Sequence, residues 1–367
     1  MKSKLWVGWC SSNVLSIFTV LYIRNFFVAK KLNDNFKETF GLANYSLKIQ
    51  LNKVFPLDIF LKLNEAKKGI QKKKNYKNSI KDFRFKAIKK DTLKPQEIYV
   101  IVIGETARKH NFSLYNYKRK TSPNLDSISS IYAFKNVKST ANLTSLSIPF
   151  ILTRATPKNP SLKFSEPAVI NNFKEAGFKT YWISNQSAGV GSVFGFYSSL
   201  ADVYKNTSVT LDSANYDETL FPFLKDVLSD KTSNKKFIVI HTLGSHFRYN
   251  YRYPKKFNKF KPAMSKGLSI KNSSDISKKE ELVNSYDNSI LYTDYVISSF
   301  INQLKKQNAI SYLYYISDHG ESLGESEEHM RTQGRFPAEL RSHPIRKRRS
   351  SLYILWWLSW SVWWSKR

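Results

Sequence analysis

The stretch Ile98-Tyr-Val-Ile-Val-Ile-Gly-Glu-Thr-Ala-Arg108 opens with an unbroken run of β-branched and aromatic residues and closes on a glycine and an acid. Such a run is too short to favour a helix, and its lack of alternation marks a strand buried on both faces of a parallel sheet. Open α/β sheets bind ligands just beyond the C-terminal ends of their strands. Glu105 is therefore a candidate site residue, with an ordinary solvated acid in a strand-to-loop turn as the competing reading.

A second segment of the same kind raises the weight of the first. Ser311-Tyr-Leu-Tyr-Tyr-Ile-Ser317 is again β-branched and aromatic, and it runs into Asp318-His-Gly-Glu-Ser-Leu-Gly324. Two strands thus end in residues that ligate metals, and Gly320 would relax the backbone so that Asp318 and His319 both turn inward. Between these ends the chain alternates. Strands are expected over Ile131–Val137, Thr180–Ser184 and Lys236–His241, and a long amphipathic helix over Glu280–Lys306. The pattern predicts an α/β fold with a doubly wound, mostly parallel sheet. His246, in the loop His241-Thr-Leu-Gly-Ser-His246, lies just past another strand end, although a lone loop histidine is usually structural. The segment Thr140-Ala-Asn-Leu-Thr-Ser-Leu-Ser-Ile-Pro149 reads as a loop entering a helix, with Thr144 near its first turn. Free N–H groups there favour an attached phosphate, while an N-cap threonine without chemistry is the local alternative.

The ends of the chain have their own character. Leu5–Val28 is largely apolar and long enough to cross a bilayer, so residues 1–30 are expected to form a transmembrane or membrane-interface helix. Residues 31–94 read as a basic amphipathic linker whose lysines, ending in Gln71-Lys-Lys-Lys74, suit an anionic membrane surface as well as plain solvent. The catalytic domain is expected over 95–330. Residues 331–367 switch abruptly to arginine and tryptophan, which reads as a replaced or frameshifted tail, with a natural membrane-binding tail as the other reading. Arginine and lysine number 59 against 28 acids, a net charge of +31 that calls for an anionic partner, membrane or nucleic acid. No nucleic-acid module is recognisable, and that class leaves the metal-type ligands at separate strand ends unexplained. Cys10 is the single cysteine, so an internal disulfide is excluded.

Gly104-Glu-Thr-Ala-Arg108, the segment Asn111–Pro123, Thr144–Pro149, His241–His246 and Ser317–Gly324 together resemble the phosphoethanolamine transferases of Gram-negative envelopes, within the alkaline phosphatase and sulfatase superfamily. The resemblance implies a zinc held by Glu105, Thr144, Asp318 and His319. It also implies that Thr144 is the nucleophile and that His246 and His329 contact the phosphoryl group or a second zinc. It further implies phosphatidylethanolamine as donor and lipid A, core sugar or another envelope glycan as acceptor. The expected setting is a monomer at the inner membrane with its catalytic domain in the periplasm. Measured against that family the chain looks N-terminally shortened and cysteine-poor. A truncated inactive relative and another superfamily phosphodiesterase are the alternatives. A sulfatase would call for an arginine after Ser147-Ile-Pro149 that is absent.

Overall fold

A computed structural model describes residues 19–30, 36–51, 54–88, 96–187, 192–208, 215–265 and 278–323. Two compact units divide the chain, Met1–Lys72 and Lys73–Arg367.

In the first unit residues 19–30 are helical, followed by α1 (Phe36–Leu51), and α2 begins at Leu57. Polar groups meet inside this unit. Asn25 is buried and accepts from Gln50 Nε2 at 3.0 Å and from Ser46 Oγ at 3.3 Å, and Ala29 and Ala43 are buried as well. Val20, Ile23, Phe27, Val28, Phe36 and Phe40 point outward. Among the described residues no helix is long and apolar enough to cross a membrane. Most of the span expected at Leu5–Val28 lies outside them.

The second unit is built on five strands: β1 (Gln96–Gly104), β2 (Lys179–Ser184), β3 (Val203–Asn206), β4 (Lys235–His241) and β5 (Ala309–Ser317). They form one parallel sheet in the order β3-β2-β4-β1-β5. This is the expected α/β fold. β1 lies between β4 and β5, with Ile103 paired to His241 and Gly104 to Ser317. Its apolar run is continuous because both faces are covered. Ile98, Val100 and Val102 join a core with α5 (Leu220–Ser229) and α6 (Lys279–Lys305), whereas Ile103 joins a second core. That second core contains Ile148 and Leu152 of α3 (Thr144–Leu152), Val169 and Ile170 of α4 (Val169–Glu175), and Tyr76 and Ile80 from the end of α2 (Leu57–Ser79).

Two local expectations are corrected. Ile131–Val137 is irregular rather than a strand: it has no ladder partner among the described residues, and of its apolar residues Phe134 is buried while Ile131, Tyr132, Ala133 and Val137 stay half-exposed. Val203–Asn206 is a strand the pattern did not reveal, a four-residue edge whose outer residues are largely exposed.

Candidate active site

The tips of β4, β1 and β5 lie side by side, and the candidate residues emerge from them. Gly104 ends β1 where the Tyr315 ring packs so closely that any Cβ would collide with it. Glu105 follows and is buried. Thr106 then takes a left-handed backbone, φ 57°, a conformation that costs a β-branched residue about 1–2 kcal/mol. The surroundings hold it there. Its hydroxyl donates to Glu105 Oε1 at 2.6 Å, its N–H to Asp318 Oδ1 at 3.0 Å, and its carbonyl accepts from Tyr286 Oη at 2.6 Å. The left-handed turn of the site is therefore at Thr106. Gly320 stays outside that region, and its missing Cβ instead admits the Arg108 side chain, which a Cβ would approach to 3.3 Å.

Asp318 is buried at the end of β5. Its Oδ1 accepts the N–H groups of Thr106 and His319, the latter at 2.7 Å, while Oδ2 is buried with no hydrogen-bond partner among the described residues. His319 Nδ1 lies 2.7 Å from the Gly320 carbonyl, which can only accept, so Nδ1 carries a proton and Nε2 faces the carboxylates. Glu105, Asp318 and His319 thus form a cluster able to hold a metal, with one ligand atom from each within 4.8 Å of the others.

Thr144 is the first residue of α3. Its N-cap is Leu143, so the capping alternative does not apply. The Thr144 hydroxyl instead points at the cluster, 3.1 Å from Glu105 Oε2, 3.4 Å from Glu105 Oε1 and 3.5 Å from His319 Nε2. Ser139 Oγ donates to the Asp318 carbonyl at 2.6 Å, and Ser147 Oγ to the Ala141 carbonyl at 3.0 Å. These bonds tie the loop before α3 to the tip of β5 without a disulfide.

The spacing fits zinc. Nitrogen and oxygen ligands at the usual zinc bond length of about 2.0–2.1 Å, placed at the corners of a tetrahedron, stand roughly 3.3–3.4 Å apart. His319 Nε2 lies 3.4 Å from Glu105 Oε1 and 3.4 Å from Asp318 Oδ2, and the Thr144 oxygen adds the 3.4 and 3.5 Å edges given above. Electrostatics point the same way. Burial works against the charge on His319, yet the Glu105 hydrogen bond and the two carboxylates lift its pKa to about 10. Burial and the Glu105 charge push the Asp318 carboxyl upward. Burial also opposes Glu105, but hydrogen bonds and the charges of His319 and His246 bring it well below the carboxylate range. Two buried acids around one imidazole leave a deficit of positive charge that a divalent cation relieves.

His246 is half-buried at the end of the loop after β4, outside the three-residue cluster, with Nδ1 3.3 Å from the Phe247 carbonyl. His329 lies outside the described residues. One contributor escaped the sequence reading: Gln186 Nε2 donates to both Glu105 Oε2 and the Thr242 carbonyl at 2.9 Å. It sits two residues past β2, so the strand-tip rule that singled out Glu105 applies to it as well.

Residues 97–348 match the family described as Sulfatase, more than half of the chain. The chain belongs to the sulfatase family. Within the family it is similar to phosphoethanolamine transferases. It is 34% identical over 268 residues to EptC of Escherichia coli K12, covering 70% of this chain and 44% of that relative. It is 32% identical over 263 residues to EptA of Helicobacter pylori, covering 67% and 48%. This sulfatase-family chain therefore spans less than half the length of those relatives. The crystal structure of the C-terminal periplasmic domain of E. coli EptC in complex with Zn aligns with a TM-score of 0.59 at 34% identity, over 68% of this chain and 70% of that one. The integral membrane lipooligosaccharide phosphoethanolamine transferase A of Neisseria meningitidis aligns with a TM-score of 0.55 at 27% identity, over 79% and 55%.

Proposed function

We propose that this chain is a zinc-dependent phosphoethanolamine transferase that moves the group from phosphatidylethanolamine to an envelope glycolipid or glycan, lipid A or a core sugar, through a covalent threonine intermediate. The observation that carries this is the Thr144 hydroxyl aimed into the Glu105, Asp318 and His319 cluster at the tip of a parallel sheet. Those four residues would hold the zinc, which supplies a lowered pKa at the Thr144 hydroxyl and neutralises charge on the phosphoryl oxygens.

The chain's own groups do the rest. Thr144 donates its proton toward Glu105 Oε2 and its oxygen attacks phosphorus. The new oxygen–phosphorus bond forms as the bond to the glyceride oxygen breaks, and diacylglycerol leaves with a proton. An acceptor hydroxyl then attacks the same phosphorus from the side diacylglycerol vacated and returns Thr144 to its free form. His246 would steady the oxygens of the transferred group or help to hold a second zinc.

The setting we propose is the inner membrane, with the catalytic unit in the periplasm and the chain monomeric. The outward apolar residues and inward Asn25, Gln50 and Ser46 of the first unit support contact with lipid. On α2, exposed Ile59, Phe60, Leu63 and Ile70 alternate with lysines, a pattern that supports an anionic headgroup layer.

The test is intact-protein mass spectrometry after incubation with zinc and phosphatidylethanolamine. The parent chain is expected to gain a phosphoethanolamine adduct and Thr144→Ala none. An adduct on Thr144→Ala would overturn the nucleophile. A parent chain that gains no adduct and holds no zinc would mark an inactive relative.

A further inference from the structure

Outside the metal-type cluster a further buried carboxylate, Asp217, holds the loop whose backbone packs against Glu105. After β4 the loop keeps to the end of β1: Thr242 N–H donates to the Ile103 carbonyl and Ser245 N–H to the Glu105 carbonyl, both at 3.0 Å. Between them Gly244 has φ 52°, and a Cβ there would stand 2.9 Å from both the Glu105 nitrogen and oxygen. Two stretches of backbone are thus in direct van der Waals contact, which only glycine in this conformation allows.

Asp217, 4% exposed, holds that arrangement. Its Oδ1 accepts the Leu243 N–H at 2.7 Å, its Oδ2 the Gly244 N–H at 2.8 Å, and Asn185 Nδ2 donates a third bond to Oδ1 at 2.9 Å. Two successive N–H groups converge on one anion, one to each carboxylate oxygen. Each needs its own acceptor oxygen, a demand met by a carboxylate and not by an amide, whose NH2 would oppose one of the donors. The loop is also coupled to the site directly, since Gln186 Nε2 bridges Glu105 Oε2 and the Thr242 carbonyl. His246 follows two residues after Gly244.

We propose that Asp217 is a positioning residue of the transfer site: by clamping Gly244 against Glu105 it sets the Glu105 carboxylate that enters the zinc set and the place of His246. The proposal rests on the transferase reading for its consequence in catalysis, and on the zinc set alone for its consequence in metal binding.

The experiment measures zinc affinity of the full chain by competition with a chelator, adduct formation from phosphatidylethanolamine at saturating zinc, and the thermal melt of the metal-free protein, for the parent, Asp217→Asn and Asn185→Ala. A cooperative melt for Asp217→Asn with zinc bound about 10–100-fold more weakly is expected, the range typical of groups that orient metal ligands. Its adduct should form more slowly even when zinc is saturating, because His246 has moved as well. Parent affinity in a folded Asp217→Asn overturns the proposal. If Asp217→Asn does not fold, Asn185→Ala decides, since it loosens the carboxylate and leaves the loop's own residues intact. A few-fold weaker zinc supports the clamp, and unchanged zinc overturns it. A parent that binds zinc and forms no adduct would sink the transferase reading, while the zinc comparison still tests the clamp.

Discussion

Two histidines flank the same strand and have opposite chemistry. His241 ends β4 beside Ile103, and His319 lies two residues past the end of β5 beside Gly104. His241 is fully buried between Trp182, with ring centroids 6.1 Å apart, and Phe194 at 5.2 Å. Neither of its nitrogens has a hydrogen-bond partner among the described residues. Burial pushes its pKa down to about 4. His319 faces two carboxylates, and its pKa is raised to about 10. A strand residue is committed by the two-residue period to one face of the sheet, and His241 falls on the one that buries Val239 and Trp182 in the second core. A residue past the strand's end is released from that period and can turn over the tip, where Glu105 and Asp318 wait.

The harshest way to test this contrast is to remove each ring. His319→Ala deletes a cluster ligand, so zinc should bind more than a hundredfold more weakly, beyond the roughly 10–100-fold typical of groups that only orient ligands. Adduct formation should fall with it. Zinc retained at parent affinity would show that the carboxylates and Thr144 suffice, and the two histidines would then differ in surroundings without differing in use.

The contrast also marks what the sequence could and could not reveal. Strands β1, β2, β4 and β5 were legible because buried parallel strands are long apolar runs, and β3 was not because Val203–Asn206 is a short exposed edge with no such run. Glu105, Asp318 and His319 were legible as polar residues directly after those runs. His241 and His246 stand in one loop motif, and nothing in the letters says that one ring turns into the core. Thr106 and Asp217 were invisible for a related reason. One matters through a backbone angle and the other through two N–H groups from a loop far along the chain, and neither leaves a local pattern.

Acid sharpens the comparison at intermediate size. His241 has a folded pKa near 4, below its ordinary 6.5. Above pH 6.5 the ring is neutral in both folded and unfolded chains and contributes no pH dependence. As the pH falls from 6.5 toward 4 the unfolded chain takes up a proton that the folded one refuses, so stability is lost, by roughly 3 kcal/mol across the window. His241→Phe should remove this acid-side loss, read as a flatter midpoint against pH in denaturant melts. Near pH 7 its stability should stay within about 1–2 kcal/mol of the parent, and its zinc affinity should be unchanged. A variant that keeps the full acid-side slope would assign the loss to other groups, and one that loses zinc would place His241 in the site after all.

The smallest effect belongs to the strand that both histidines flank. Thr106 combines a left-handed backbone with a 2.6 Å hydrogen bond to Glu105 Oε1, so replacing it alters two terms of opposite sign. Comparing Thr106→Gly with Thr106→Ala cancels one of them, because both variants lose the hydroxyl. In ordinary extended or helical backbone glycine is less stable than alanine by about 0.5–1 kcal/mol, from the greater freedom of its unfolded chain. At φ 57° alanine carries the left-handed penalty of about 1–2 kcal/mol and glycine does not. The order should therefore invert, with Thr106→Gly more stable than Thr106→Ala by up to about 1 kcal/mol in denaturant melts of the metal-free chain. If alanine proves the more stable, Thr106 is relaxed in solution. The turn that delivers its N–H to Asp318 would then not be held under strain by Tyr286, Glu105 and Asp318.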